Sequence, residues 1–170
     1  KLSVSQKTAT VGQAFYVKIT VYTPTWFTKA PNFGDYQVRN TFTLRTQRPI
    51  GGFETINGKR FTTLFYEYVV FPLNAGELKL PPLSVAFESP LEGDYKGKAF
   101  NVTTKGAAIE ILPLPNNDNN YSLFVADNIS ISESWSNEFT DLKVGDVMER
   151  TIRIFAKGTL ANMIPPIITD

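Results

Sequence analysis

Hydrophobic and polar residues alternate with a period of two along much of this 170-residue chain. That period is typical of half-buried β-strands. The clearest stretch runs from Ala14 to Tyr22. Its apolar positions are Phe15, Val17, Ile19 and Val21, and the opposite phase carries Lys18 and Thr20. Short strands of this kind, separated by turn residues, predict an all-β sandwich or barrel.

Turn residues divide the rest of the chain into further strands. Asn57-Gly58 favours a type I′ hairpin turn, which requires positive φ at both positions. The run Thr63–Phe71 is nearly all apolar or aromatic and predicts a central strand. Pro81-Pro82 indicates an edge strand or a switch between sheets, because proline donates no ladder hydrogen bond. Further strands are expected at Leu2–Val4, Tyr36–Thr46 (with Val38, Phe42 and Leu44 on one phase), Leu78–Leu80, Leu83–Phe87, Phe100–Val102 and Ile109–Ile111, and Pro24–Pro31 is expected to be a loop.

One passage of the sequence occurs twice. A shift of 133 residues aligns Val11-Gly12 with Val144-Gly145. It also aligns the strands that follow these two pairs. The positions of Phe15, Val17, Ile19 and Val21 are then taken by Met148, Arg150, Ile152 and Ile154. We therefore expect an immunoglobulin-like β-sandwich over residues 1–114, a polar linker over 115–124, and the N-terminal part of a second, truncated immunoglobulin-like module over 125–170. The first strands of the second module should expose a sheet edge.

Composition removes several kinds of chemistry. The chain has no cysteine and no histidine, so it contains no thiol nucleophile, imidazole base or zinc site of the usual kind. The net charge is +5 over residues 1–114 and −4 over residues 115–170, which is too modest to favour nucleic acid. No stretch is apolar for the roughly 18–20 residues that a membrane span needs. We predict no catalytic residue, no metal site and no cofactor.

Several short motifs, taken in order, resemble the BatD "oxygen tolerance" family of bacteria. In the second copy they are Trp135, Leu142-Lys143-Val144-Gly145-Asp146, Arg150-Thr151-Ile152, Ala156-Lys157-Gly158 and Ile164-Pro165-Pro166. In the first copy they are Ile56-Asn57-Gly58, Tyr66-Glu67-Tyr68, Phe71-Pro72, Ala75-Gly76, Leu80-Pro81-Pro82 and Ile111-Leu112-Pro113-Leu114-Pro115. Each motif is only moderately specific, and the order and spacing carry the resemblance.

The resemblance implies a periplasmic or other extracytoplasmic protein, anchored to the inner membrane by a segment absent from this sequence. It implies tandem immunoglobulin-like domains and a non-catalytic scaffold role in stress or oxygen tolerance. The implied partners are von Willebrand A-domain proteins and a MoxR-type ATPase. A carbohydrate-binding or adhesive β-sandwich is the alternative from another functional class.

Three residues are candidates for partner binding. Arg150 takes the inward phase of its strand, so it either binds a partner or pairs with a nearby acid such as Asp141, Asp146 or Glu149. Trp26 and Phe27 form either an exposed hot spot or sugar platform, or a cap on the end of the sandwich. Two further sites are weaker possibilities. Asn116–Asn120 is either a calcium site or a plain linker. A group of basic residues forms either a phosphate-binding face or a set of charges that protects a sheet edge. The residues of that face would be Arg39, Arg45, Arg48, Lys59 and Arg60.

Overall fold

The computed structural model describes residues 1–46, 48–115, 123–136, 140 and 142–166. The strands in this part of the chain are β1 (Leu2–Val4), β2 (Thr8–Thr10), β3 (Phe15–Thr23), β4 (Lys29–Asn32), β5 (Thr41–Arg45), β6 (Ile50–Ile56), β7 (Lys59–Pro72), β8 (Gly76–Leu80), β9 (Ser84–Pro90), β10 (Gly97–Thr103), β11 (Ala107–Leu112), β12 (Asn128–Trp135) and β13 (Arg150–Lys157). A 3₁₀ turn covers Ala161–Met163.

Strands β1 to β11 form a sandwich of two layers. One layer is a five-stranded sheet in the order β1-β3-β7-β5, with β6 also paired to β7. The other layer consists of two three-stranded sheets, β2-β11-β8 and β10-β9-β4. The pairing of β2 with β11 is parallel, and the other pairings in the sandwich are antiparallel. The predicted all-β, immunoglobulin-like class is confirmed.

The core lies between the layers and is built from the alternating face of β3. Phe15, Val17 and Ile19 are fully buried. They pack in one cluster with Val70 of the same sheet and with side chains of the opposite layer, among them Leu80, Val85, Ile109 and Ile111. Burial of each such side chain contributes about 1.5–3 kcal/mol. The alternation of β3 therefore decides which face of the sheet the second layer covers, although Thr20 on the other phase is also buried.

The hairpin and the central strand form as predicted. Ile56 of β6 pairs with Lys59 of β7 across Asn57-Gly58, and φ is 50° at Asn57 and 78° at Gly58. Strand β7 pairs with β3 on one edge and with β5 and β6 on the other. Pro81-Pro82 takes the chain from β8 in one sheet to β9 in the next, so the switch between sheets is confirmed.

Two local expectations were wrong. The loop predicted over Pro24–Pro31 contains the start of β4, which pairs with β9 at the outer edge of its sheet. Pro31 is accommodated there because an edge strand leaves some of its N–H groups unpaired. Of the residues Tyr36–Thr46, only Thr41–Arg45 form a strand. Val38 is buried in the core, but Phe42 and Leu44, which share its phase, are exposed, because the backbone turns at Asn40 with a positive φ of 57°.

The second copy repeats the local geometry of the first. Ser5 N donates to Tyr16 O at 2.9 Å, and Tyr16 N donates back to Ser5 Oγ at 3.0 Å. Ser136 and Glu149 make the same two bonds, both at 3.0 Å. The glycines that open the two copies also share a positive φ, 80° at Gly12 and 102° at Gly145. Strands β12 and β13 therefore reproduce β1 and β3, and Ser134 and Trp135 are the last two residues of β12.

A few contacts join the second copy to the sandwich. Ala14 N donates to Gly158 O at 3.2 Å. A depression of about 220 Å³ beside this bond is lined by Val11, Gly12, Pro72, Leu73, Leu114, Leu123, Phe124, Val125 and Met163. The predicted domain boundaries at 114 and 125 stay a prediction. The Asn116–Asn120 run lies outside the described residues.

Candidate interaction surfaces

The outer face of the five-stranded sheet, which points away from the core, carries an apolar band. Directly opposed residues of adjacent strands share a face. Val69 of β7 lies between Tyr16 of β3 and Leu44 of β5. The same register places Phe42 opposite Phe71, and Ile50 opposite Phe65. We call the seven residues Tyr16, Phe42, Leu44, Ile50, Phe65, Val69 and Phe71 the outer band.

The outer band is exposed in its flanking strands and covered in its centre. Tyr16, Phe42, Leu44 and Ile50 are each 42–49% exposed. Lys18 Nζ lies 3.6 Å from the ring centroid of Phe65, so part of the central strand is covered by a cation–π contact. Glu67 lies on the same face between Phe65 and Val69, opposite Lys18, and divides the outer band into two apolar groups. Exposed apolar surface bordered by charge marks protein interaction sites in soluble proteins. Sequence reasoning did not single out this band, because the near-continuous apolar run of β7 does not say which of its faces is outside.

Trp26 and Phe27 lie together at one end of the sandwich but point in different directions. Their loop is held by Thr28 N, which donates to Glu88 O at 3.0 Å, and by Thr25 Oγ1, which donates to Pro90 O at 2.8 Å. Phe27 packs edge-to-face on Phe87 of the core, with ring centroids 5.7 Å apart. Phe27 therefore caps the end of the core.

The ring of Trp26 turns outward and meets a second exposed ring. Trp26 is 43% exposed and Tyr95 is 87% exposed. Their centroids are 6.2 Å apart and their planes are inclined by 46°. Asp94 Oδ1 accepts hydrogen bonds from the backbone N–H of Tyr95 and of Lys96, which fixes the turn that presents Tyr95. Sequence analysis missed Tyr95, and the turn residues Gly93-Asp94 before it were the signal available.

Buried hydroxyl groups hold this end of the sandwich together. Thr23 Oγ1 and Thr25 Oγ1 both lie within hydrogen-bond distance of Ser89 Oγ, at 2.5 and 2.9 Å. Thr62 Oγ1 donates to Thr25 O. Because these bonds join β3 and β7 of one layer to β9 of the other, they set the position of the Trp26 loop.

Arg150 is not the buried charge that its place in the repeat suggested. Its side chain is 42% exposed, and it forms a bidentate ion pair with Glu133 on the neighbouring strand, with both N–O distances 3.2 Å. The guanidinium also lies 5.5 Å from the ring centroid of Trp135. Its acidic partner is thus a cross-strand residue rather than Asp146 or Glu149, while Asp141 lies outside the described residues. Hydrogen bonding to Arg150 lowers the pKa of the Glu133 carboxyl from its ordinary value.

Three of the five basic residues named for a phosphate-binding face contact separate neighbours. Arg45 lies over the ring of Tyr66 at 4.9 Å, and Arg60 lies over Phe53 at 3.9 Å. Lys59 makes an ion pair with Glu92. Because these cations engage different neighbours, their arrangement favours protection of the sheet edge over phosphate binding.

Among the described residues, no group of three or more acidic, histidine or cysteine side chains is placed to hold a metal ion. In the same part of the chain, no helix has the length and hydropathy to cross a membrane. The fold and its surfaces define an immunoglobulin-like module whose prominent features are apolar and aromatic contact surfaces.

Comparison with known proteins gives the family. A family model described as a BatD DUF11-like domain matches residues 2–111, which is more than half of the chain. The chain therefore belongs to the BatD family. BatD domains are extracytoplasmic modules, and the family is not a known enzyme family. No curated protein and no solved structure gave a significant match. The resemblance stated from the short motifs is confirmed, whereas the partner-binding roles of Trp26, Phe27 and Arg150 stay predictions.

Proposed function

We propose that this chain is a non-catalytic interaction module of a membrane-anchored BatD-type protein, and that it binds a protein partner through the outer band. The observation that carries the proposal is the register of β3, β7, β5 and β6, which brings four exposed apolar side chains onto one solvent-facing sheet surface. Cross-strand pairing of apolar residues stabilises a sheet, but it does not require four such side chains to stay 42–49% exposed on one face. Their presence favours a surface that a partner covers.

The partners that we propose are those of the BatD setting, a von Willebrand A-domain protein and a MoxR-type ATPase, working together in stress or oxygen tolerance. The von Willebrand A-domain protein is the better candidate for direct contact. An AAA+ ATPase depends on cytoplasmic ATP, whereas the BatD domain is an extracytoplasmic module. Anchoring to the inner membrane would hold the module beside such a partner.

The test is a binding titration between this chain and the purified von Willebrand A-domain protein of the same genome, followed by calorimetry. Leu44→Glu places a charge in the outer band and should weaken binding at least tenfold, which is about 1.4 kcal/mol. Val102→Glu is the matched control, because Val102 is as exposed as Leu44, 44% against 42%, but lies on β10 in the other layer. It should change the affinity less than twofold. Equal losses in the two variants, or no binding by the unaltered chain, would contradict the proposal.

A carbohydrate-binding or adhesive role is the second candidate, and the exposed pair Trp26–Tyr95 favours it. Aromatic rings with an apolar face and a polar edge can stack on sugars as well as on proteins. The 46° inclination between these two rings gives a bent surface rather than a flat platform. Glycan-array binding that disappears in Trp26→Ala and survives in Leu44→Glu would support this candidate over the outer band.

A further inference from the structure

The tip of the β6–β7 hairpin carries a pair of residues that can react with each other. Asn57-Gly58 is the one Asn-Gly pair in the 170-residue sequence. Both residues are exposed, and a Cβ atom placed on Gly58 would meet nothing within 4 Å beyond its own neighbours in the chain. Among the described residues, neither the side-chain amide of Asn57 nor the N–H of Gly58 takes part in a hydrogen bond.

The reaction open to such a pair joins the side chain to the backbone that follows it. The nitrogen of Gly58 loses its proton to hydroxide from the solvent and attacks the side-chain carbonyl carbon of Asn57. A bond forms between these two atoms, the bond from that carbon to the side-chain nitrogen breaks, and this nitrogen leaves as ammonia. The product is a five-membered succinimide ring. Water then opens the ring at one of its two carbonyls and gives aspartate or isoaspartate.

The residue after the asparagine decides how easily the ring closes. A side chain there crowds the attacking nitrogen, and glycine has none. Asn40 gives a comparison within the chain, because it is also exposed and also has a positive φ, 57° against 50° at Asn57. It is followed by the β-branched Thr41. A loop tip also opens locally more readily than the core, and this freedom allows the two reacting atoms to meet.

We propose that Asn57 is the site of a spontaneous, age-dependent deamidation, and that its isoaspartate product loosens the β6–β7 hairpin. Isoaspartate runs the main chain through the former side chain and so adds one backbone carbon to a two-residue loop. Such a loop does not fit the type I′ turn, whereas aspartate keeps the normal main chain, and Asp-Gly suits this turn.

The position of β6 depends on this turn. Among the described strands, β6 pairs with β7 alone. Strand β6 also carries Ile50 of the outer band, so the isoaspartate form would have a less ordered surface at that end of the band. The inference does not depend on the proposed function, because it concerns the covalent chemistry of the turn.

The first test follows the reaction in the full 170-residue chain. The chain is aged in mildly alkaline buffer, and its peptides are analysed by mass spectrometry with fragmentation that distinguishes isoaspartate from aspartate. Asn57 should be converted at least tenfold faster than Asn40. Gly58→Ala should slow the conversion of Asn57 at least tenfold, although it opens the hairpin more readily, because its methyl group crowds the attacking nitrogen. Equal rates at Asn57 and Asn40, or an unchanged rate in Gly58→Ala, would overturn the proposal.

The second test measures what each product does to the hairpin. The isoaspartate and aspartate forms are separated by chromatography and compared by residue-resolved hydrogen exchange. Isoaspartate should speed exchange of the β6 amides that bond to β7 at least tenfold and leave that of Val17 unchanged. Asn57→Asp is the matched control, because it has the same charge on a normal main chain, and it should exchange like the unaltered chain. Unchanged exchange in the isoaspartate form, or equally fast exchange in Asn57→Asp, would overturn the proposed effect on the hairpin.

Discussion

Replacing Val17 with arginine tests whether an arginine is tolerated at position 150 because of the surroundings there. At the equivalent position 17, the same residue would be buried in the core. Val17 has 0% exposure and lies in the core cluster, and Arg150 occupies the equivalent position with 42% side-chain exposure. Arginine at position 17 loses the burial of valine, about 1.5–3 kcal/mol. It also leaves a charge without a partner, which costs several kcal/mol more. The total of about 5 kcal/mol or more is comparable with the whole stability of a small domain, about 5–15 kcal/mol.

The assay uses the two tryptophans of the chain. In a Trp135→Phe background, Trp26 alone reports unfolding of the sandwich in a urea titration. Val17→Arg should leave the sandwich unfolded or nearly so. Val17→Ala separates lost volume from charge and should cost about 1–3 kcal/mol.

The reverse exchange completes the comparison. Arg150→Val removes the exposed ion pair with Glu133, which contributes little to stability, and the cation–π contact with Trp135 is already altered by the Trp135→Phe background. Because both contacts lie within the β12–β13 hairpin, the midpoint reported by Trp26 should not move. If Val17→Arg costs no more than Val17→Ala, the arginine reaches solvent from position 17, and burial there does not exclude a charge.

Three further outcomes are expected. Tyr36→Phe removes a hydrogen bond of 3.1 Å to Pro81 O and should lower the free energy of unfolding by about 1 kcal/mol. Because burial raises the pKa of Tyr36, its contribution is fully present below the ordinary tyrosine pKa of about 10 and is lost as the pH rises from there through the raised pKa. Titration of this phenol together with the surface tyrosines in the ultraviolet would contradict this. Glu133 should titrate by NMR below its ordinary pKa, and the pKa should rise in Arg150→Gln because the hydrogen bond to Arg150 is the main cause of the lowering. The small stabilising effect of the ionised carboxylate is present above the ordinary pKa and is lost as the pH falls through the lowered one. An unchanged pKa in the variant would argue against the ion pair. Gly58→Ala should destabilise the hairpin by about 1–2 kcal/mol, because φ at Gly58 is 78°, where a Cβ atom is strained. A urea midpoint equal to that of the unaltered chain would exclude the type I′ turn.

The features that could be predicted from the sequence are those that depend on neighbouring residues. The face of β3, the Asn57-Gly58 turn and the switch at Pro81-Pro82 each follow from a local pattern with one physical solution. The repeat of 133 residues is of the same kind, because it compares local patterns with one another. These features were sufficient to predict the fold class.

The features that could not be predicted depend on which strand lies beside which. Leu44 and Val38 share a phase in the sequence, but a turn at Asn40 places them on different sides of the sheet. Arg150 has the inward phase, yet it is exposed in the two-stranded sheet and meets Glu133, a residue on the strand before it. Tyr95 reaches Trp26 only because two loops distant in sequence meet at one end of the sandwich.

The prediction of β7 as a central strand was correct, but it did not identify the apolar surface on the outer face of that strand. A strand that is apolar on both phases is typical of a position covered on both faces. In this two-layer sandwich the core covers one face of β7 through Tyr68 and Val70. The other face, with Phe65 and Val69, points outward and is flanked by exposed Leu44. Glu67 interrupts the apolar residues of this outer face, and the apolar positions on either side of it favour cover by an external partner on the outer band.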